Sequence, residues 1–482
     1  MTVPSRHLSR AIIPPEVLAA EDAVRNAGGE VYIVGGAIRD LLLGRPVRDW
    51  DLATNLTPDR LPQIFPKTRE VGAHFGTVLV TLPEGTYEVT TFRRDGVYSD
   101  GRRPDEVEYT QSVNEDLARR DLTINAFAYD SRTEEVLDLF DGRDDLAARR
   151  LRMVGDPDIR FEEDALRLLR VVRFAVELDF EIERITLRAL TRKAPGIERV
   201  SGERIREEMK RIMTSPQAGR GLELLFETGL LRRILPELDR CYGVAQNSFH
   251  SFSVFHHCLA AVDQAPRDDE IVRWAALFHD VGKPETREVK ADTASFYGHQ
   301  QRSERHAHRA MNRMRFPKQQ RDKVAHLVLH HMFHYTADWS DGAVRRFMRT
   351  VGVDQINPLF RLRAADTMGN GMRTRIAPEL AVLRDRVDGI LEAQNALGIK
   401  DLSINGRDLM AELSIRPGPQ IGQLLEALLA EVLESPEKNE RDLLLARAGQ
   451  LFEAERNGKP IADASQAGPK KSSTSKAKDS ST

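Results

Sequence analysis

Cysteine and long apolar runs are scarce in this chain, and both absences narrow what the protein can be. The 482 residues include only two cysteines, Cys241 and Cys258, which provide neither a disulfide framework nor the paired spacing of a zinc site. No run of about 18 apolar residues occurs, so no membrane span and no membrane partner are expected. Residues 1–15 lack the apolar core of a secretory signal peptide. We therefore expect a cytoplasmic location.

A strong net charge of either sign is also missing. The formal net charge is −3 at pH 7, and 30% of the residues are charged while 41% are apolar. This balance excludes a protein whose whole surface attracts nucleic acid, so any such surface must come from local clusters of lysine and arginine. The length predicts several domains, about three or four at the usual domain size.

One stretch combines a short apolar run, two glycines and two aspartates. The apolar run at residues 31–34 predicts a strand. Gly35 and Gly36 follow this strand, at the start of a helical segment. Because glycine has no Cβ, a triphosphate can approach this backbone and meet the first N–H groups of the helix. Asp49 and Asp51 point to one face of a strand, where both can bind the same pair of Mg²⁺ ions. Two such ions can activate a hydroxyl and stabilise leaving pyrophosphate. The alternative is a solvated turn.

Two segments further along the chain add candidates to this stretch. Glu88 lies on a β-branched strand and is either a third carboxylate near the aspartate pair or an exposed strand residue. Residues 93–105 contain four arginines, two glycines and a proline. This composition predicts either a basic lid beside the triphosphate or an ordinary surface loop.

A second basic segment lies at residues 119–125. Arg119 and Arg120 offer forked donors that suit phosphate and ribose oxygens. A helix is predicted over 121–128, with Asp121 as its cap and Asn125 one turn further on, facing the same pocket. The alternative is a salt-bridge cluster at the edge of that helix.

From residue 147 onward the sequence is helical. Within residues 163–174, Asp164 and Arg167 lie three apart and are predicted to share a helix face, and Arg170 continues the spacing. One interpretation is an ion pair on an amphipathic helix. The other is that the two groups contact a base edge, since carboxylates accept from base amino groups and arginine donates to ring nitrogens and carbonyls. Such a pair would select a nucleotide without a nucleic-acid template.

Taken in order, these segments resemble the class II tRNA nucleotidyltransferases, which include the bacterial CCA-adding enzymes and poly(A) polymerases of the polymerase-beta superfamily. The resemblance covers nearly the whole chain and is carried by residues 35–40, 49–51, 88–93, 116–126, 163–167 and 201–206. It implies that Asp49 and Asp51 hold two Mg²⁺ ions, with Glu88 as a further candidate ligand. The residues that it implies for nucleotide binding are Gly35, Gly36, Arg39, Arg119, Asp121, Asn125, Glu163, Asp164, Arg167 and Arg170.

Within that set, the resemblance makes Glu163, Asp164 and Arg167 the amino-acid template that selects CTP and then ATP. The implied partners are the tRNA 3′ end, CTP and ATP, and no obligate protein partner is indicated. Residues 93–105 resemble the flexible loop that helps the switch from C to A addition, and their full length favours complete CCA addition. Residues 71–80 resemble the CCA-adding form, because the basic segment of the poly(A) polymerases is absent there.

Histidine is concentrated in one region, with eleven of thirteen between residues 250 and 334. A histidine next to an aspartate at a helix end, as in His279-Asp280, can bind a divalent ion from two sides. The pattern resembles the HD superfamily of metal-dependent phosphohydrolases. That resemblance implies a two-metal site whose metal is not specified, with the ligands His257, His279, Asp280, His299, His331 (or its neighbour His330) and Asp366. The alternative is a domain that only supports the tRNA.

The predicted fold is α+β, with a polymerase-beta-like head of a small mixed sheet and helices, followed by an all-α remainder. The predicted domains are a head (1–148), a helical neck (149–240), an HD domain (241–370), a helical tail (371–456) and a disordered C-terminal segment (457–482). The predicted function is untemplated CCA addition to tRNA, with HD phosphohydrolysis as a second activity. The alternatives are a poly(A) polymerase or partial CC- or A-adding enzyme, an HD phosphohydrolase with a nucleotide-binding head, and a catalytically silent RNA-binding protein.

Overall fold

The computed structural model describes most of the chain, namely residues 8–70, 76–95, 107–246, 252–290, 293–371, 378–393 and 396–457. Residues 71–75, residues 96–105 of the predicted lid and the C-terminal segment from 458 lie outside the described residues. The chain divides into two compact units, Met1–His331 with Arg361–Thr374, and Met332–Phe360 with Arg375–Thr482. The domain boundaries given above stay a prediction.

A mixed β-sheet organises the N-terminal part of the first unit. Its strands, as far as the structure describes them, are β1 Val31–Val34, β2 Asp51–Thr54, β3 Thr68–Glu70, β4 Thr77–Leu82, β5 Gly85–Thr91, β6 Arg93–Asp95, β7 Val107–Tyr109, β8 Phe127–Asp130 and β9 Glu135–Asp138. The main sheet has the order β3-β4-β5-β2-β1-β8-β9, and β6 pairs with β7 separately. β2 is central, antiparallel to β1 and parallel to β5. The α+β fold class is confirmed.

Short helices accompany this sheet. They are α1 Pro15–Asn26, α2 Gly36–Leu42, α3 Leu61–Ile64, α4 Val113–Ala118 and α5 Gly142–Ala147, with 3-10 turns at Arg10–Ile12 and Thr123–Asn125. The helix predicted over 121–128 is wrong. A single 3-10 turn is followed by β8, because β8 pairs with both β1 and β9 and its first three side chains are fully buried. Asp121 therefore caps no α-helix.

Helices dominate the rest of the first unit. Those before residue 240 are α6 Pro157–Glu163, α7 Leu166–Leu178, α8 Arg184–Lys193, α9 Gly202–Met213, α10 Ala218–Glu227, α11 Leu231–Ile234 and α12 Pro236–Asp239. A two-residue pair of strands, β10 Arg150–Leu151 and β11 Glu181–Ile182, runs parallel. α7 is almost wholly buried because its sequence is apolar apart from three arginines and one glutamate, Glu177.

The continuous helix predicted through residues 163–174 is interrupted. Asp164 has an extended backbone (φ −140°, ψ 103°) between the end of α6 and the start of α7. Its Oδ1 accepts a hydrogen bond from the N–H of Leu166 at 3.0 Å, which stabilises the start of the new helix. Asp164 and Arg167 therefore do not share the face of one helix, and that part of the sequence prediction is wrong.

The histidine-rich part continues as helices. In the first unit they are α13 Val254–Gln264, α14 Glu270–Phe278, α15 His299–Arg313 and α16 Lys318–His330, with the antiparallel strand pair β12 Glu288–Lys290 and β13 Thr293–Ser295. α17 Asp341–Val351 belongs to the second unit, and α18 Val353–Met368 begins in the second unit and ends in the first. α14 is buried on all sides from residue 272 onward, with Trp274 and Phe278 completely buried, so its C-terminal end at His279 is held inside the unit.

The C-terminal helices belong to the second unit. They are α19 Pro378–Glu392, α20 Gly406–Leu413, α21 Pro419–Glu434 and α22 Arg441–Arg456. Leucines of α20, α21 and α22 form a separate apolar core that includes Leu409, Leu428 and Leu444. Among the residues that the structure describes, no helix has the length and apolar character needed to cross a membrane.

Candidate active site and candidate metal centre

The head site is built at the end of the sheet where β2 begins. Asp51 is the first residue of β2 and lies directly opposite Glu88 of β5 in parallel register. On its other side Asp51 faces Val34, the last residue of β1, so the glycine turn that follows β1 lies at the same end of the sheet. Strand pairing thus brings together Asp51, Glu88 and the two glycines from distant positions in the chain. Asp49 precedes β2, so the prediction that both aspartates lie on one strand is wrong.

Negative charge accumulates at this end of the sheet. Burial raises the pKa of Asp51 to about 6, and the charges of Glu88 and, less strongly, Asp49 act in the same direction against the opposing effect of Arg120. Asp49 and Glu88 are exposed. A structural ion pair would lower the pKa of a carboxyl group, so this set fits a bound cation better. Carboxylates with open positions suit Mg²⁺, which shares its ligands with phosphate oxygens.

The turn between β1 and α2 requires glycine at its first position. Gly35 has φ +71° and ψ −130°, and a Cβ on it would lie 2.8 Å from Nη1 of Arg120. Its N–H donates to the carbonyl of Phe127 at 3.1 Å, which ties the turn to β8. α2 begins at Gly36, so the first N–H groups of that helix have no intrahelical acceptor and are directed to an anion or water.

A chain of polar contacts runs from α2 to α7 beside the turn. Arg39 donates to Oδ1 of Asn125 at 2.7 Å, and Asn125 donates through Nδ2 to Asp121 at 3.2 Å. Asp121 also accepts from Nε of Arg170 at 2.7 Å. Burial alone would raise the pKa of Asp121, but Arg170 and the N–H of Leu122 hold it well below its usual range. Four of the predicted nucleotide ligands are therefore linked to one another.

Asp116 is a residue of this site whose role sequence reasoning missed. It is fully buried, and it accepts from Arg119 at 2.7 and 2.9 Å and from Arg120 at 3.2 Å. Burial raises its pKa, but the two guanidinium groups outweigh burial and lower it. The spacing of three and four residues along the chain was the available signal for this brace. Asp116 therefore fixes where both arginines point.

A second brace, also missed from the sequence, lies between α7 and α9. Glu208 is 3.0 Å from Nε of Arg173 and 3.9 Å from Arg170. Burial raises the pKa of Glu208, and Arg173 and Arg170 oppose that shift. Because Arg170 also binds Asp121, this pair of carboxylates sets the position of its guanidinium group.

The three predicted template residues lie at the junction of α6 and α7, and each has protein partners. Both carboxylate oxygens of Glu163 accept from Arg160, at 2.8 and 2.9 Å. Asp164 accepts from Arg204 of α9 at 2.7 Å. Arg167 donates to Glu163. It also donates to the backbone carbonyls of residues 119 and 160, at 3.0 Å in both cases. Their role in base selection stays a prediction.

Six side chains of the histidine-rich part converge in the first unit, and we call them the histidine–aspartate cluster. They are His257, His279, Asp280, His299, His331 and Asp366, and two trios of them have ligand atoms within 4.8 Å of one another. The first trio is His257, His279 and Asp280, and the second is Asp280, His299 and His331. Asp280 thus bridges the two trios. No other such trio occurs in the described ranges.

The distances show how the bridge is arranged. Oδ2 of Asp280 lies 3.4 Å from Nε2 of His257 and 3.3 Å from Nε2 of His279, whereas Oδ1 lies 3.2 Å from Nε2 of His299 and 3.8 Å from Nε2 of His331. Oδ1 of Asp366 is 3.2 Å from Nε2 of His257. His330 lies outside the cluster and packs against His326, with the two ring planes tilted by 54°.

Backbone carbonyls orient all four histidines of the cluster. Nδ1 of each ring lies 2.7–3.1 Å from a backbone carbonyl oxygen. The pairs are His257 with Gly369, His279 with Ala276, His299 with Phe296 and His331 with Val328. A ring whose Nδ1–H donates to a carbonyl presents the lone pair of Nε2 to the centre, which is the arrangement found around metal ions. The donor set of imidazole nitrogens and carboxylates suits a divalent transition metal.

Charge in the cluster is balanced internally. Burial would raise the pKa of both carboxyl groups, but the histidines, and for Asp280 also Lys283, hold these pKa values well below the usual range. Lys283 contacts Oδ2 of Asp280 and donates to Gln246 at 2.7 Å. Burial and the neighbouring histidine His279 lower the pKa of His331 to about 3. The cluster therefore keeps ionised carboxylates in a mostly buried setting, in which the side chain of Asp366 is 14% exposed.

Comparisons with known proteins match both sites to families. Three family models match the chain: the Poly A polymerase head domain at residues 31–152, the probable RNA and SrmB-binding site of polymerase A at 179–242, and the HD domain at 248–380. The head model spans the glycine turn, both strand carboxylates and the arginine segment. The HD model spans the whole histidine–aspartate cluster.

Relatives cover nearly the full chain. The CCA-adding enzyme of Enterococcus faecalis is 34% identical over 452 residues, which is 90% of this chain and 96% of that protein. The CCA-adding enzyme of Geobacillus thermodenitrificans is 42% identical over 260 residues, which is 54% of this chain and 61% of that protein. The crystal structure of the Bacillus stearothermophilus CCA-adding enzyme in complex with CTP superposes with a TM-score of 0.71 at 29% identity, covering 92% of this chain and all of that one. The chain belongs to the CCA-adding enzymes, a family of tRNA nucleotidyltransferases.

Proposed function

We propose that this protein adds C, C and A in turn to the 3′ end of tRNA, using CTP and ATP and releasing pyrophosphate. The observation that carries the proposal is the pairing of Asp51 with Glu88 at the end of the sheet where the Gly35 turn also lies. In this arrangement the carboxylates that would hold the cations lie beside a backbone that a triphosphate could approach. The location proposed for this reaction is the cytoplasm.

The reaction requires a hydroxyl to attack the α-phosphate while pyrophosphate leaves. Asp49 and Asp51, with Glu88 as a further ligand, would hold Mg²⁺, which when bound lowers the pKa of the attacking hydroxyl and offsets charge on the leaving group. The chain itself orients the nucleotide. Gly35 lets the triphosphate come close, and Arg39, held by Asn125, donates to it.

The arginines on the other side of the site would hold the ribose and phosphates. Arg119 is fixed by Asp116, so its fork is preorganised and loses little conformational entropy on binding. Asp121 and Asn125 would accept and donate hydrogen bonds at the ribose hydroxyls. In this proposal the substrate is positioned by side chains that are already hydrogen-bonded to one another. Their prior order reduces the conformational entropy lost on binding.

Base selection would reside at the junction of α6 and α7. Cytosine and adenine both carry an amino group that a carboxylate can accept from, which makes Asp164 suited to both nucleotides. Arg167 would donate to a ring nitrogen or carbonyl. In the structure both side chains are held by Arg204 and Glu163, so base binding must replace those contacts. Such an exchange costs little when each lost hydrogen bond is replaced by another.

We also propose phosphoester hydrolysis at the histidine–aspartate cluster. The specific observation is that all four imidazoles are oriented by carbonyls toward one centre. Divalent ions held there would lower the pKa of a bound water so that it can attack phosphorus. The head and the cluster share no candidate residue, so the two activities should be separable.

Paired variants test this proposal directly. Asp49→Ala should abolish nucleotide addition and leave hydrolysis of a phosphoester intact, whereas His279→Ala should do the reverse. Both are assayed on the same preparations, with tRNA ending in CC plus ATP for addition and p-nitrophenyl phosphate plus a divalent metal for hydrolysis. Loss of both activities in both variants would contradict the two-site account.

A further inference from the structure

α15 carries three exposed arginines on one face, which we call the arginine stripe. Its members are Arg302, Arg305 and Arg309. They are separated by three and four residues, so they follow one another along the same side of the helix. At a rise of about 1.5 Å per residue, the stripe extends over about 10 Å.

The stripe differs from most arginines of the protein because its charges are not neutralised. Within the part of the chain that the structure describes, none of the three lies within 4.0 Å of a carboxylate oxygen. Arg305 donates to the carbonyl of Gln301 at 3.1 Å, and Arg309 lies 3.0 Å from Nδ1 of His306. Arg313, further along the same side, instead binds Glu237 at 2.7 Å. The stripe is therefore a locally unbalanced positive surface.

Two acidic side chains on or beside α15 do not change this conclusion. Glu285 is already occupied, since His306 lies 2.8 Å and Arg240 3.7 Å from its Oε1. Glu304 belongs to α15, but at about 100° of rotation per residue it lies about 100° or more around the helix from each stripe arginine. Three cations thus face solvent beside one another, which costs free energy until an anion binds.

The stripe starts at the histidine–aspartate cluster. α15 begins with His299, whose Nε2 lies 3.2 Å from Asp280, and Arg302 is one turn further on. The stem of Arg302 passes beside Gly282, where an added Cβ would be 2.7 Å from its Cβ. One end of the stripe is therefore fixed next to the cluster and the other points away from it.

We propose that the arginine stripe binds the phosphodiester backbone of an RNA strand whose 3′ end reaches the histidine–aspartate cluster. Guanidinium forks bind phosphate oxygens through paired hydrogen bonds, and a row of them suits consecutive phosphates. A small phosphoester at the cluster would not extend to Arg309. The stripe therefore makes RNA ends, rather than free nucleotides, the preferred substrate class. Delivery of the RNA 3′ end to the cluster rests on the hydrolysis proposed above, whereas RNA binding by the stripe does not.

Two triple variants of the full chain test the binding. In the first, Arg302→Gln, Arg305→Gln and Arg309→Gln remove the charges. In the second, Arg302→Lys, Arg305→Lys and Arg309→Lys keep the charges and serve as the matched control. Affinity for a 12-nucleotide RNA with a 3′-phosphate is measured by fluorescence anisotropy between 50 and 300 mM NaCl. Three lost single-strand phosphate contacts should reduce the slope of log K against log salt by about 2 in the glutamine variant. An unchanged slope would overturn the proposal.

Hydrolysis assays of the same proteins test whether the RNA 3′ end reaches the histidine–aspartate cluster. With a divalent metal present, the glutamine variant should show at least a tenfold higher KM for the RNA 3′-phosphate, unchanged hydrolysis of p-nitrophenyl phosphate and unchanged CCA addition. The lysine variant should resemble the wild type. An equal loss in CCA addition would place the stripe in the main tRNA surface and overturn delivery to the cluster. If the wild type hydrolyses neither substrate, the hydrolysis proposal fails, and the salt slope still decides whether the stripe binds RNA.

Discussion

The head site and the histidine–aspartate cluster are both candidate metal sites, yet they are constructed in opposite ways. In the head, Asp49 and Glu88 are exposed, and burial together with the charge of Glu88 raises the pKa of Asp51. In the cluster, His257 and His279 are fully buried and their rings are fixed by carbonyl oxygens. The head leaves ligand positions open, whereas the cluster supplies most ligands from the protein.

This difference fits what each site is proposed to bind. A Mg²⁺ ion that acts on a nucleoside triphosphate takes several ligands from the phosphates and water, so the protein provides only a few carboxylates. A site made of imidazoles and a bridging carboxylate holds its ions without substrate. The arginines around the head are braced by Asp116 and Asp121, and in the proposed function they orient the phosphates that complete the ligand set.

The largest expected effect comes from removing the charge of the head carboxylate that the sheet fixes in place. Asp51→Asn should reduce the rate of addition of A to tRNA ending in CC by about 10³-fold or more, because several kcal/mol of metal-dependent stabilisation is lost. Thermal stability should not fall, since the substitution relieves repulsion from Glu88. Single-turnover kinetics and a melting curve measure the two quantities. Asp59→Asn, an exposed acid of the same part, is the control and should retain full activity.

The corresponding change in the cluster should leave addition intact. Asp280→Asn removes the bridge between the two histidine trios and should lower bound divalent metal and phosphoester hydrolysis by about 10²-fold, at the upper end of the effect of weakened ligand support. Metal content is measured by inductively coupled plasma mass spectrometry after dialysis. Normal metal content in the variant would show that the two trios do not form one centre.

A smaller loss is expected from the glycine turn. Gly35→Ala places a Cβ 2.8 Å from Arg120 at a positive φ, so the turn must shift. Strain of about 1–3 kcal/mol and a displaced triphosphate site should lower kcat/KM for the nucleotide by about 10²-fold. Gly36→Ala is the matched control, because its Cβ would meet only the flexible end of Arg39 at 3.4 Å. Equal losses in the two variants would contradict the role of the turn.

The smallest of these effects concerns the polar chain beside the turn. Asn125→Ala removes the group that links Arg39 to Asp121, and should raise KM for CTP and ATP by about tenfold with little change in kcat, which corresponds to about 1.4 kcal/mol. Steady-state kinetics at fixed tRNA measure both constants. A fall in kcat at unchanged KM would show that Asn125 acts in the chemical step instead of nucleotide binding.

The contrast between the sites also explains what the sequence could and could not predict. The strand at 31–34 was predicted with the limits that the structure has, because it is an apolar, mostly β-branched run that ends at two glycines. The helix predicted over 121–128 was wrong because pairing of β8 with β1 and β9 decided its conformation. Local helical propensity does not contain that information.

The same reasoning applies to the side chains around the head site. The proximity of Glu88 to Asp51 depends on strand register, which the sequence only suggested. The contact of Arg204 with Asp164 joins residues 40 positions apart, and nothing in the local pattern indicated it. The break at Asp164 was also missed, because an apolar helical pattern continues on its C-terminal side. The catalytic and binding roles of these residues stay predictions.

The most direct test of the central claim is a product analysis with one tRNA transcribed to end at the discriminator base, at C or at CC, and supplied with CTP, ATP or both and Mg²⁺. The account predicts addition of C, C and A in that order and then a stop, with ATP alone used only by the transcript that ends in CC. Extension with a long run of A on any RNA, or a stop after CC, would contradict CCA addition by this chain.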